Sequence, residues 1–185
     1  MVHPNRIEGY AIVSEDGMIA NAAGIMPEEL QFEADKHFFE RGLDAVDVVV
    51  HGLHSDERQP HSPLRLRLIL TRRVAAIAAD PANQKALFWN PAGASFEDAL
   101  KALGKPEARV GIVGGTEVFG LFLGRYSAFY LSHAPNVYLP GGRPAFPGVP
   151  AKTPEAVLAS YGMVAGQCQV LDADKGLTVV SWQLP

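Results

Sequence analysis

One carboxylate in the sequence is flanked by aromatic residues at helical spacing. In the segment MPEELQFEADKHFFERG, Asp35 follows Phe32 by three residues and precedes Phe38 and Phe39 by three and four. On a helix these positions share one face, which would place the carboxyl group among aromatic rings. Apolar surroundings raise the pKa of a carboxyl group, so Asp35 could hold a proton at higher pH than an exposed aspartate. The alternative is a helical carboxylate at the edge of an amphipathic seam.

A pair of glycines ends a short apolar run further along the chain. The stretch RVGIVGGTEVFG is typical of a strand that stops at Gly114 and Gly115 and is followed by a helix. At such a junction the helix N-terminus offers free N–H groups and a positive dipole to an anion. The stretch lacks the Gly-Lys-Ser/Thr of a P-loop and the three-glycine dinucleotide pattern. By itself the pair is explained equally well by a tight turn that requires glycine.

Histidine spacing raises the question of a metal site. His51, His54 and His61 form the patterns H-x2-H and H-x6-H, which could ligate zinc. No Cys/His pair follows at zinc-finger spacing, however, and the HExxH pattern of metalloproteases is missing from the sequence. We therefore expect no metal, with His51 at a strand end and His54 in a loop.

Strand-like runs alternate with helical segments, which is the arrangement that would position these residues. The runs predict eight strands, at 8–14, 46–51, 66–71, 86–89, 109–113, 127–133, 164–171 and 177–183. Helices are predicted at 27–42, 95–104 and 153–162, with another after the glycine pair. The pattern predicts an α/β protein with a three-layer α/β/α sandwich, whose mostly parallel sheet ends in a C-terminal antiparallel hairpin.

Several local signals fix the predicted helix ends. Gly42, Gly104 and Gly162 would each end a helix, because glycine is favoured just past the last turn. Ser95 is spaced as the N-cap of a capping box with Asp98, and Thr153 caps the helix that begins at residue 154. The apolar segment TVVSWQL in the last strand would be a sheet edge that needs protection, so a homodimer is expected to be possible.

Composition excludes several classes of function. The chain has 185 residues, 48% of them hydrophobic, and a net charge of −4, which favours a single domain over 1–185. No basic cluster exceeds the pair Arg72 and Arg73, so nucleic acid is not an expected partner. No apolar stretch is long enough for a membrane span. The single cysteine, Cys168, cannot form an internal disulfide, and the first residues contain no continuous apolar segment typical of a signal peptide. We therefore expect a reduced, cytoplasmic protein.

The order and spacing of the motifs resemble those of the dihydrofolate reductase superfamily over nearly the whole chain. The segments YAIVSEDGMIA, MPEELQFEADKHFF, HGLHSDE, PLRLRLILTR, IVGGTEVFGLFL, FYLSHAP and FPG follow one another as in that family. The family includes the dihydrofolate reductases and the reductase domains of riboflavin biosynthesis. The resemblance therefore implies a dihydrofolate-reductase-like fold and a reductase activity.

The resemblance implies NADPH as cofactor. In that family the double glycine approaches the pyrophosphate of the nicotinamide nucleotide, and the peptide between the glycines is commonly cis. Residues after the third strand face the adenosine ribose and its 2′-phosphate, where two guanidinium groups favour NADPH over NADH; a solvated charged turn is the alternative. The positions carried over to NADPH are Ile12, Ile19, Gly52, His54, Ser55, Thr71, Arg72, Arg73, Gly114, Gly115, Thr116, Glu117 and Val118.

The resemblance also implies a substrate site. Asp35 matches the acidic residue that hydrogen-bonds the pterin and assists protonation of its ring nitrogen, and Ser132 matches the hydroxyl that supports this acid. Phe38 and Phe39 are expected against the substrate. Arg65 falls where folate enzymes pair an arginine with the glutamate tail, and bidentate geometry explains the choice of arginine. Arg67 lies on the same face of the extended chain, so either could hold an anionic tail or a ribose phosphate.

Two departures keep alternatives open. MPEEL stands where the family has MPW, and Leu53 replaces the arginine of the turn after the second strand. Asp35 favours dihydrofolate as substrate, whereas SEDGMIA and HAPNVYLPGGRPAF resemble the reductases that act on the phosphoribosylamino-uracil of the riboflavin pathway. We expect a reductase of pterin- or pyrimidine-type substrates; the alternative is a nucleotide-binding protein that keeps the fold without catalysis.

Overall fold

Short strands and helices alternate through residues 5–185, the part of the chain that the computed structural model describes. The strands are β1 (Arg6–Val13), β2 (Met18–Ala20), β3 (Val48–Gly52), β4 (Leu66–Leu70), β5 (Ile77–Ala79), β6 (Ala86–Trp89), β7 (Arg109–Ile112), β8 (Ala128–His133), β9 (Arg143–Pro144), β10 (Val164–Asp172) and β11 (Leu177–Gln183). The α-helices are α1 (Glu33–Asp44), α2 (Phe96–Ala102), α3 (Thr116–Leu121) and α4 (Pro154–Ser160).

Nine of the strands form one sheet in the order β10-β11-β8-β1-β7-β3-β4-β6-β5. The six strands from β8 to β6 run parallel, and the antiparallel strands β11 and β5 flank them. All eight predicted strands are present, so the predicted α/β architecture is confirmed. The ninth strand, β5, was missed because its three residues, IAA, show no alternation of polar and apolar side chains. A separate pair, β2 and β9, was also not predicted.

Alternation along the strands divides the core between the two faces of the sheet. On β3, Val48 and Val50 belong to the larger apolar cluster, which packs against α2, α3 and α4. Val49, between them, belongs to a second cluster with Tyr10 and the α1 residue Leu43. Because successive side chains of a strand point to opposite faces, helices are needed on both sides. The result is the three-layer sandwich expected from the sequence.

The first helix begins and ends differently from the prediction. The segment predicted as one helix over 27–42 is divided into a 3₁₀ turn, Glu28–Leu30, and α1, which starts only at Glu33. Phe32 has extended backbone and separates the two. Gly42 does not end α1, which continues to Asp44. Glycine is required at this position because a Cβ would lie 2.5 Å from the Tyr10 ring.

The other predicted helix ends are confirmed. The Ser95 hydroxyl accepts a hydrogen bond from the N–H of Asp98 at 3.0 Å, and Thr153 caps α4 in the same way. Both interactions satisfy N–H groups that a helix leaves free in its first turn. Gly104 and Gly162 have φ of +78° and +82° beyond α2 and α4, a conformation that favours glycine.

The last hairpin places its apolar strand inside the sheet. The segment TVVSWQL, expected at an unprotected edge, forms most of β11, which pairs with β8 on one side and β10 on the other. Leu177, Val179 and Trp182 are buried there. The terminal strand of this side of the sheet is β10, which is largely exposed. The expected apolar edge is therefore covered by β10, and the homodimer stays a prediction. None of the helices in the described residues has the length and apolar composition needed to span a membrane.

Candidate functional site

A cleft of about 660 Å³ opens where the central parallel strands end. Its walls come from the ends of β1 and β8, from α1, from the segment after β3 and from the glycine turn after β7. In open α/β sheets this edge is where ligands bind, because loops and helix ends converge there. Nine of the residues predicted from the sequence border the cleft, namely Ile12, Ile19, Asp35, Phe38, Phe39, His54, Ser55, Gly115 and Ser132.

Asp35 lies in the first turn of α1 and borders the cleft together with Ser132, near the end of β8. Burial raises the pKa of its carboxyl group, and a hydrogen bond from the buried Ser132 hydroxyl lowers it by less. The net direction is upward because removing a carboxylate from water disfavours its charged form. The structure thus brings together the two residues that the sequence predicted as a pair.

An aromatic stack that the sequence did not predict forms another wall of the cleft. Tyr10 and Tyr130 are register partners on β1 and β8, and their rings stack with centroids 5.0 Å apart. Phe38 packs edge-on against Tyr130. The Tyr10 hydroxyl donates a 2.8 Å hydrogen bond to Glu8, which is fully buried and also paired with Arg109. Burial together with the neighbouring Glu8 charge raises the pKa of Tyr10 far above its usual range.

The double glycine forms a bare turn between β7 and α3. The peptide between Gly114 and Gly115 is cis, as the resemblance implies, and Gly114 has φ of +109°. The Gly52 N–H donates to the Gly114 carbonyl at 2.8 Å, which joins the turns after β3 and β7. A Cβ on Gly115 would lie 3.1 Å from the Ser55 hydroxyl oxygen. Among the described residues no side chain caps α3, so the N–H groups of its first turn stay free.

The predicted phosphate-binding residues lie beside this turn but do not all border the cleft. Arg72 follows β4 and forms an exposed ion pair with Glu117 in the first turn of α3. The Thr71 hydroxyl accepts a hydrogen bond from the backbone N–H of Arg73. Among the described residues Arg73 has no ion-pair partner, so its exposed guanidinium group is available to an anion. Two further predicted residues lie elsewhere around the turn, since Thr116 bonds the Pro144 carbonyl and Val118 is buried in the core.

Arg65 and Arg67 do not have the places that the resemblance implied. Neither borders the cleft; instead both are buried and bind Glu57, whose two carboxylate oxygens accept one hydrogen bond from each guanidinium group, at 3.0 Å and 2.9 Å. Arg65 also donates to Asp44 at 2.7 Å. Buried guanidinium groups require such partners, because an unpaired buried charge is strongly destabilising. The structure therefore places both arginines in an internal ion-pair network rather than at the cleft.

Glu57 is the residue that sequence reasoning missed in this network. Burial raises the pKa of its carboxyl group, but hydrogen bonds from the Gln59 N–H, Arg67 and Ser62 lower it more, so it stays below its usual range. It is the anion that Arg65 and Arg67 share. The sequence gives little signal for the pairing, because Glu57 lies in a polar loop eight and ten residues before its partners.

The histidines do not form the zinc site considered from their spacing. His51 is buried; its Nδ1–H donates to the Gly52 carbonyl at 2.7 Å and its Nε2 accepts from Arg67 at 3.1 Å. Both ring nitrogens are therefore occupied, and burial lowers the pKa of the ring. His61 instead bonds Asp44 at 3.0 Å, with Glu40 nearby. Because Arg65 binds the same Asp44 carboxylate, a guanidinium cation already neutralises this group.

Comparison with solved structures identifies proteins that share this fold. A deaminase and 5-amino-6-(5-phosphoribosylamino)uracil reductase from Thermotoga maritima aligns over 98% of the chain with a TM-score of 0.70 and 16% identity. The chain spans 57% of the length of that protein. Dihydrofolate reductase from Enterococcus faecalis, complexed with NADP(H), aligns over 96% of the chain and 95% of its own, with a TM-score of 0.64 and 17% identity.

A third similar structure is the "putative riboflavin biosynthesis protein" of Shewanella sp. PV-4. It matches 96% of this chain and 98% of its own, with a TM-score of 0.64 and 18% identity. A scan against protein-family models gives no match, and a search of curated proteins gives none either. At these identities the comparisons establish the dihydrofolate-reductase-like fold, which confirms the resemblance noted in the sequence at the level of fold.

Proposed function

We propose that the protein is an NADPH-dependent reductase that transfers hydride to a pterin- or pyrimidine-type heterocycle. The observation that carries the proposal is Asp35, a carboxyl group with a raised pKa that borders the same cleft as Ser132 and the glycine turn. A perturbed acid in a cleft at the carboxyl ends of parallel strands is typical of an active site. The proteins of similar fold are reductases of both substrate types.

The residues around the glycine turn fit a nicotinamide dinucleotide. Gly115 presents backbone without a side chain to the cleft, and the uncapped first turn of α3 offers N–H groups on the same side. Ile12 and Ile19 border the cleft as apolar surface on which a nicotinamide ring would rest. Arg73 would meet the 2′-phosphate. When bound, the cofactor supplies the hydride, and the chain supplies binding and orientation.

The proton chemistry belongs to Asp35. A protonated carboxyl group can donate a hydrogen bond to a ring nitrogen of the substrate, and an ionised one can accept from a ring N–H. The raised pKa lets the group change between these states closer to neutral pH than an exposed aspartate would. Phe38, Phe39 and Tyr130 surround the carboxyl group with aromatic surface, which limits access of water.

Two substrates are compatible with the proposal. The acid in the cleft favours dihydrofolate, whose pterin ring requires protonation before hydride arrives. The segments SEDGMIA and HAPNVYLPGGRPAF favour the aminouracil of riboflavin biosynthesis, whose ribose ring is reduced without that acid. Oxidation of NADPH, followed by its absorbance with each compound in parallel, distinguishes the two.

The test uses Asp35→Asn with Glu33→Gln as its matched control. Both remove a carboxylate from the first turn of α1, but only Asp35 borders the cleft. With dihydrofolate, we expect Asp35→Asn to lower turnover about 10²- to 10⁴-fold while NADPH binding, measured by fluorescence, stays unchanged. Wild-type turnover should fall as pH rises through the raised pKa. A protein that binds NADPH but oxidises it with neither compound would be a reductase of another heterocycle or the non-catalytic nucleotide-binding alternative, and one that fails to bind NADPH refutes the proposal.

A further inference from the structure

Glu57 separates the cleft from two buried guanidinium groups. It borders the cleft, whereas Arg65 and Arg67 behind it do not. Its side chain is 2% exposed, and each carboxylate oxygen accepts a hydrogen bond from one of the arginines. A carboxylate or phosphate on a ligand would make the same paired contacts with guanidinium groups. The chain therefore carries its own anion where a ligand's anionic group would meet these arginines.

The remaining charges around the cleft do not provide a substitute for these arginines. Among the described residues the cleft is bordered by three carboxylates, Asp35, Asp56 and Glu57, and by the cations Lys36 and Arg58. Lys36 is paired with Glu33 at 2.9 Å, and Arg58 is paired with Asp56 at 3.3 Å. Both cations are at the solvent-exposed rim, where water screens their attraction for an anion. Among the described residues both cations that border the cleft are thus already paired with carboxylates, so an anionic tail would find no free counter-charge there.

The mouth of the cleft is apolar instead. Ile25 is 63% exposed and Met26 is 43% exposed, and both border the cleft, as does the buried Leu30 of the adjoining 3₁₀ turn. Phe38 and the stacked Tyr130 continue this surface inward toward Asp35. Exposed apolar side chains that rim a cavity commonly mark the place where a ligand's apolar portion binds.

We propose that Glu57 occupies the anion site of Arg65 and Arg67, and that the cleft accepts a flat heterocycle whose substituent is apolar and carries no anionic tail. The inference rests on the proposed reductase function and specifies its substrate class. Dihydrofolate, with its glutamate tail, and the phosphoribosylamino-uracil both carry anionic groups, so each should be a poorer substrate than a compound with the same ring and an uncharged substituent.

The experiment compares two probes that differ in one carboxylate. These are 2,4-diamino-5-benzylpyrimidine and the same compound with a carboxylate on the benzyl ring; the diaminopyrimidine edge presents two N–H donors to Asp35. Dissociation constants are measured by calorimetry with the full chain, with and without NADPH. We expect the uncharged probe to bind about tenfold more tightly, because the carboxylate would lose water without gaining an unpaired cation among the described residues of the cleft. Tighter binding of the carboxylate probe, or binding of neither probe, overturns the proposal.

Variants test whether Glu57 causes the discrimination. Glu57→Gln keeps the size of the side chain and releases the arginines, so the tenfold preference should shrink or reverse. Asp44→Asn removes the half-exposed second partner of Arg65 and should act in the same direction even if Glu57→Gln does not fold. Glu107→Gln, which removes an exposed carboxylate just before β7 at the opposite edge of the sheet, should leave the preference unchanged. Equal preference in all three variants and the wild type overturns the role of Glu57.

Failure of the proposed function gives a different result. NADPH binding is measured separately in the same series, and its absence refutes the proposed reductase function. The ratio of the two probes' dissociation constants can still be measured without cofactor, so the inference about the tail is tested independently. A protein that binds NADPH and prefers the carboxylate probe leaves the reductase standing and removes only the inference about the tail.

Discussion

Gly42 is the position at which a single methyl group should disturb both α1 and the wall of the cleft. A Cβ built on this residue lies 2.5, 2.6 and 2.7 Å from Cε1, Cζ and Oη of Tyr10. The Tyr10 ring has little room to move, because Tyr130 stacks on it and Phe39 packs edge-on against it. Its hydroxyl is also tied to the buried Glu8 by a 2.8 Å hydrogen bond. Gly42→Ala must therefore shift either the helix or the ring.

The expected cost follows from these contacts. Forcing an extra methyl group into a packed core costs about 2 kcal/mol. Partial loss of the hydrogen bond from Tyr10 to the charged Glu8 costs about 1–2 kcal/mol more. Replacing glycine by alanine within a helix returns about 1 kcal/mol. We expect Gly42→Ala to lower the free energy of unfolding by about 2–3 kcal/mol.

Urea unfolding followed by circular dichroism measures this change, and Tyr10→Leu provides the control. Leucine removes the ring that the new methyl group meets, so in the Tyr10→Leu background Gly42→Ala should be neutral or slightly stabilising. If Gly42 instead acted as a helix-ending glycine, the cost would persist in that background. Unchanged or increased stability of the single variant Gly42→Ala would refute the packing argument itself.

Three further predictions concern charge. Glu117→Gln should strengthen NADPH binding about two- to fivefold at low salt, because it removes a carboxylate beside the expected phosphate site. Glu97→Gln breaks a similar first-turn ion pair, with Arg125, but lies in α2 rather than at the glycine turn, so it should leave NADPH binding unchanged. The pKa of His51 is lowered in the fold, so the unfolded chain binds a proton more readily and the free energy of unfolding should fall as pH drops below about 6.5. His51→Gln should make the free energy of unfolding depend less on pH between pH 7 and 5. An unchanged pH dependence would contradict this assignment. The pKa of Asp35 is raised in the fold, so the protonated carboxyl group favours the folded state, and this stabilisation is lost as pH rises from 3.8 through the raised pKa. The stability of Asp35→Asn relative to wild type should therefore increase over that pH range. A decrease would contradict the pKa shift.

Local patterns in the sequence were sufficient for the eight predicted strands and for the ends of α2 and α4, but not for the short strands β2, β5 and β9 or for the bounds of α1. Strands such as β3 and β4 are near-continuous apolar runs, and buried parallel strands have this composition. The caps at Ser95 and Thr153 depend on residues three positions apart, so they can be read without knowing the fold. The proximity of Asp35 and Ser132 has no such local signal, because the two residues are 97 positions apart in the chain. It was expected only from the family resemblance.

The roles of the charged residues depend on contacts between distant parts of the chain. Arg65 and Arg67 have the alternating spacing of ligand-binding arginines, yet a buried guanidinium group takes whichever anion the fold brings closest, and here that anion is Glu57. Gly42 has the position of a helix-ending glycine, but the ring of Tyr10, 32 residues earlier in the chain, determines its role. Most strands and helices could be predicted from residue order alone, since periodicity and capping are local. Partners of buried charges and rings depend on distant segments meeting in space, and that information is carried by the packed sheet.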